Sequence, residues 1–187
     1  MNNKTKTMVG VGLLTAIVVV LQLLGGGIRF CIFSISLVLI PIVVGAALYG
    51  WQAGGWLGFA FGMTVLLNGD AAPFMVVDVL GTIATVLVKG ASCGIAAGLV
   101  YKLFSKNRWL AVMMAAVICP VVNTGIFLVG CKLFFFETIS AWGAAAGFAN
   151  AAGYMFLGLA GTNFLVELGT NIVLAPVIVR LIRIGQK

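Results

Sequence analysis

Charge is what this chain has least of. Eleven Lys and Arg and four Asp and Glu are all it carries in 187 residues, and histidine is absent. So little charge cannot clothe a water-facing surface, which makes lipid the natural solvent for the chain. Without histidine there is no imidazole base, no Ser/His or Cys/His nucleophile pair and no histidine-ligated metal centre. The four cysteines, Cys31, Cys93, Cys119 and Cys131, form no C-x-x-C and read as small buried hydrophobes. A disulfide between Cys31 and Cys131 is left open. No G-x-x-x-x-G-K-[ST] loop is present, so the chain does not hydrolyse ATP itself. Long polar stretches are also missing. The first seven residues, 102–108 and the last few residues hold no soluble module, so the expectation is one membrane domain over 1–187. The basic residues stand at segment ends rather than in an aromatic-laced patch, which argues against nucleic acid. Nothing calls for a catalytic residue, a metal or a cofactor.

Apolar residues make up 63% of the chain. Runs suited to membrane crossing fall at 8–24, 37–49, 53–67, 78–104, 109–133 and 154–182. The basic start followed by an apolar run imitates a signal peptide, but no small-x-small cleavage site follows, so it reads as an uncleaved first helix. The second and third runs are short and join through Gly50-Trp51-Gln52; fused, they would leave five spans. Six spans with the N-terminus inside put Lys4, Lys6, Lys102, Lys106, Arg108, Arg180, Arg183 and Lys187 in the cytoplasm, with Arg29 and Lys132 outside. That eight-to-two split exceeds the seven-to-three split of five spans. The expected fold is therefore an all-α integral membrane protein of six transmembrane helices with both termini cytoplasmic. Glycines at 54, 55, 58 and 62 and at 90, 94 and 98 give small faces for close helix packing.

Few polar residues interrupt these runs. Asn163, Glu167 and Asn171 recur every four residues and hold one stripe of a helix, which must face protein or a cavity. Lys89 lies at similar depth in the fourth segment, so a Lys89–Glu167 ion pair is geometrically open, as bridge or as ligand contact. Pro120 frees a carbonyl one turn earlier, beside Asn123 and Thr124, which either line a site or repair a kink. Two apolar loops, around Arg29 and from Asn68 through Asp70 to Phe74, are expected to fold over the outer mouth as a lid, or to anchor at the interface through Phe30, Phe33 and Phe74.

With these residues in view, the chain resembles the substrate-binding membrane subunits (S components) of energy-coupling factor transporters. The resemblance covers nearly the whole length. It rests on Leu37-Val38-Leu39-Ile40-Pro41 before Gly45-Ala46-Ala47-Leu48-Tyr49-Gly50, on Val88-Lys89-Gly90 with Gly94 and Gly98, and on Pro120-Val121-Val122-Asn123-Thr124. It implies a bacterial cell-membrane protein that captures a vitamin from outside. The implied partners are a transmembrane scaffold subunit and two ATP-binding-cassette ATPases. Substrate contacts would then come from Arg29, Asp70, Asp78, Lys89, Asn123, Asn163 and Glu167. Gly12 and Ala16 would face the scaffold, where the family usually shows Ala-x-x-x-Ala. Arg29 and Lys89 as carboxylate holders would suit pantothenate; riboflavin, a pyridoxine-type ring and folate stay open. Two other classes are weighed beside it: a membrane-embedded assembly protein, which would bind no ligand, and a self-sufficient secondary transporter.

Overall fold

The computed structural model describes residues 3–27 and 37–185, and every regular element among them is helical. They are α1 (Asn3–Gly27), α2 (Leu39–Tyr49), α3 (Trp51–Leu67), α4 (Ala72–Met75), α5 (Val79–Leu103), α6 (Arg108–Phe134), α7 (Phe136–Ala145), α8 (Ala151–Gly153), a π-helical segment (Tyr154–Gly161), α9 (Thr162–Val173) and α10 (Ala175–Gly185). Four stretches are long and apolar enough to cross a membrane: Lys4–Gly25, Val79–Leu103, Arg108–Phe134 and Ala151–Val173. With the shorter apolar α2, they make this a multi-pass membrane protein.

The Gly50 break is real and narrower than expected. Gly50 alone, at φ +93°, separates α2 from α3, and Trp51 and Gln52 already belong to α3. That left-handed backbone suits glycine and lets the chain fold back on itself. Gly45 then packs on Leu57 and Ala46 on Gly54, an antiparallel pairing.

Chain direction alternates through the rest of the bundle. Trp56 donates to Thr15 Oγ1 at 3.2 Å and Gln22 to Asp70 at 2.8 Å, so α1 runs parallel to α3. Gly54 faces Gly94, Gly58 faces Gly90 and Gly62 faces Val86, so α3 and α5 run antiparallel with backbones in contact. Thr85 beside Gly130 and Gly81 beside Phe134 set α6 antiparallel to α5. This alternation gathers Lys4, Lys6, Lys102, Lys106, Arg108, Arg180 and Arg183 at one end of the bundle.

Short α2 is apolar on all sides because all sides are covered: it touches α1, α3, α5, α6, α9 and α10. Eight of its eleven residues are buried, with Leu39, Ile42 and Val43 fully enclosed. By contrast α1 is mostly uncovered, and Gly12 and Ala16 are exposed on its outer side.

A second, aromatic cluster closes the end opposite the basic one. Phe74 of α4 meets Phe127, Phe135 and Trp142 edge-on, at centroid distances of 5.7, 5.1 and 5.6 Å. The α7 helix that supplies Trp142 carries no long apolar run and lies outside the six expected spans. The last apolar run is likewise not one helix. Its first eight residues are π-helical, and α9 ends at Val173, capped by Leu174, where Pro176 cannot donate to the preceding turn.

Candidate functional site

Three helices bring the buried polar residues together. Lys89 stands midway along α5, half-buried, with its ammonium over the rings of Phe61 (5.7 Å) on α3 and Phe127 (5.3 Å) on α6. Cation–π contact of this kind holds the charge without giving its N–H groups an acceptor. Asn123 lies one turn from Phe127 on the same side of α6 and is 5% exposed. Opposite it, Glu167 of α9 is 3% exposed. Asn163 Nδ2, one turn before it, donates to Glu167 Oε1 at 3.3 Å, and the Asn123 amide also bonds to Glu167. The π-helical segment ends at Gly161, two residues before Asn163.

Among the acidic groups acting on Lys89, Glu167 attracts it most strongly and Asp70 less. No hydrogen bond joins the two charges through Glu167 Oε2, which is buried and has no partner. Asn123 Oδ1, Asn163 Oδ1 and Thr85 Oγ1 share that condition. Buried polar atoms are nearly always paired, and membrane interiors offer no water to stand in. Three of these four oxygens belong to Glu167 and its two asparagines, and the fourth, on Thr85, lies against Gly130.

The other expected contacts among the described residues, Asp78 and Asp70, make hydrogen bonds of their own. Asp78 caps α5: its Oδ1 accepts from Gly81 N at 2.9 Å and its carbonyl from Thr82 Oγ1 at 2.6 Å. Asp70 Oδ2 accepts from both Gln22 and Asn68, each at 2.8 Å, and so ties α1 to the turn after α3. Arg29 and Cys31 lie outside the described residues; Cys131 is a buried free thiol. Asn171, the third member of the α9 stripe, points away from the orphaned group and bonds the backbone of α6. Sequence reading missed Phe61, Phe127 and Thr85. Thr85 stands one turn from Lys89 on α5 and was legible by that spacing; the two phenylalanines were not, in a chain with thirteen of them.

A bundle of apolar, membrane-length helices with buried, unpartnered polar atoms between them defines a multi-pass membrane protein. The chain belongs to the family of substrate-specific components of ECF transporters, whose family model matches residues 6–179. Neither the curated proteins nor the solved structures contain a match to the chain.

Proposed function

We propose that the chain captures a vitamin or related micronutrient from outside the bacterial cell and delivers it inward with a scaffold subunit and two ATPases. The observation that carries this reading is the set of buried, unpartnered oxygens on Asn123, Asn163 and Glu167 beside Lys89. Each such atom in a bilayer costs free energy until a partner matches it. Lys89, Asn123, Asn163 and Glu167 are the contacts proposed; Asp70 and Asp78 support them by holding α1 and α5 in place.

In this reading the chain crosses the membrane six times with both termini cytoplasmic, and the basic end faces inward. The aromatic cluster around Phe74 then lies at the outer mouth, where it covers the pocket. Gly12 and Ala16, on the uncovered side of α1, offer the scaffold a small-residue surface. ATP hydrolysis falls to the partner ATPases.

Native mass spectrometry of the purified chain tests the proposal. A stoichiometric small molecule retained through purification, and lost in folded Lys89→Met and Glu167→Gln variants, supports capture. A chain that carries nothing, and that no vitamin stabilises against heat, refutes it.

A further inference from the structure

We infer that the ligand of this site presents an N–H donor edge to Glu167 and its two asparagines and a carbonyl or carboxylate to Lys89; this rests on the capture reading above.

Glu167 does more than wait for a partner. It accepts from the Asn163 amide at 3.3 Å and from the Asn123 amide. An amide that turns its NH2 toward a carboxylate must turn its carbonyl the other way. Both Oδ1 atoms are accordingly buried and unpartnered, as is Glu167 Oε2. The two asparagines have thus spent donors on Glu167, and what remains unpaired at this end is a set of oxygens that accept. A carbonyl or carboxylate brought there would meet only lone pairs, whereas an amino group, ring N–H or amidine-like edge would satisfy several at once.

The other end has the opposite character. The Lys89 ammonium rests on two ring faces, and those rings accept none of its hydrogens in the directed way an oxygen does. Its donors therefore suit a ligand carbonyl or carboxylate. Phe61 and Phe127 hold the ammonium on their faces and leave its N–H groups free to donate. The accepting side comes from α9 with α6 and the donating side from α5.

Glu167 is accordingly both a ligand contact and a positioning residue for two amides. Replacing it by glutamine keeps an oxygen at Oε1 for the amides and puts an NH2 where Oε2 accepts, so a ligand donor edge meets a donor there.

The test uses the full chain in lipid nanodiscs with four probes: folate, riboflavin, pyridoxine and pantothenate. Affinity is measured by calorimetry for the wild type, Glu167→Gln, Lys89→Met and Asn163→Leu, with circular dichroism as the check of fold. The expected result is that the tightest probe carries N–H groups and is weakened at least tenfold by Glu167→Gln and by Asn163→Leu. Lys89→Met should weaken probes with a carboxylate or carbonyl and leave pyridoxine little changed. Should Glu167→Gln fail to fold, Asn163→Leu carries the same comparison. A tightest probe bound equally by the wild type and the Glu167 and Asn163 variants overturns the assignment and leaves capture standing. If no probe binds and no small molecule survives purification of the wild type, the capture reading itself falls.

Discussion

The Asn171 side-chain amide donates to the Ala116 carbonyl, 3.3 Å away across the α6–α9 interface. Ala116 is four residues before Pro120, so its carbonyl is the one that proline leaves without a helical donor. Asn171 restores that bond from another helix and is itself 2% exposed. α6 consequently runs unbroken through Pro120, and its next turn holds Asn123 against Glu167. A repair of the backbone and a site thus share one stripe of α9: Asn171 serves the helix, while Glu167 and Asn163 face the pocket.

Removing that donor should expose the defect. Asn171→Leu is expected to cost roughly 1 kcal/mol, in the range of interhelical hydrogen bonds in membranes. Pro120→Ala returns a backbone N–H to Ala116, so the double variant should recover most of the loss. A double-mutant cycle in reversible detergent unfolding measures it; simple additivity would contradict the repair.

Glycine positions divide sharply. A Cβ on Gly58 would collide with the Gly90 carbonyl, and one on Gly90 with that of Gly58, whereas one on Gly12 meets nothing within 4 Å. Gly58→Ala should therefore destabilise by about 2 kcal/mol or more, since backbone cannot step aside as a side chain can. Gly12→Ala should leave the isolated chain unchanged or slightly firmer. Thermal unfolding of both variants decides this, and co-purification of Gly12→Leu with a scaffold subunit tests the docking proposed for that face.

Asp78 offers a way to separate capping from ligand contact. Asp78→Ala should lose about 1 kcal/mol with the N-cap, and Asp78→Asn should keep most of it, because either side-chain oxygen can accept from Gly81. Ligand affinity should not change in folded Asp78→Asn. A large affinity loss there would return Asp78 to the pocket.

The aromatic cover is testable kinetically. Phe74 makes three edge-on ring contacts, worth together roughly 2 kcal/mol. Phe74→Ala should speed ligand release severalfold while Leu in its place slows it again, as stopped-flow displacement would record. Unchanged release would assign the cluster to stability alone.

Sequence by itself determined the solvent, the class and most helix limits. Scarce charge and long apolar runs force helices in lipid, because only helices and closed barrels satisfy their own backbone there. The expected run at 78–104 became α5 with its caps at Asp78 and Phe104, and 109–133 became α6 within a residue at each end. Family membership was also legible, in short strings such as Val88-Lys89-Gly90. Tertiary structure alone decided what each polar residue does. Asp78 and Glu167 are both acids near apolar runs, yet one finds backbone N–H groups three residues on and the other finds two amides and an empty side. Asn163 and Asn171 sit on one stripe, yet one faces a pocket and the other a carbonyl orphaned by a proline on a different helix. Periodicity fixes the face of a helix on which a residue lies. Which partner waits there depends on the packing of helices far apart in the chain, and on local events such as the π-helical segment that no hydrophobic period announces.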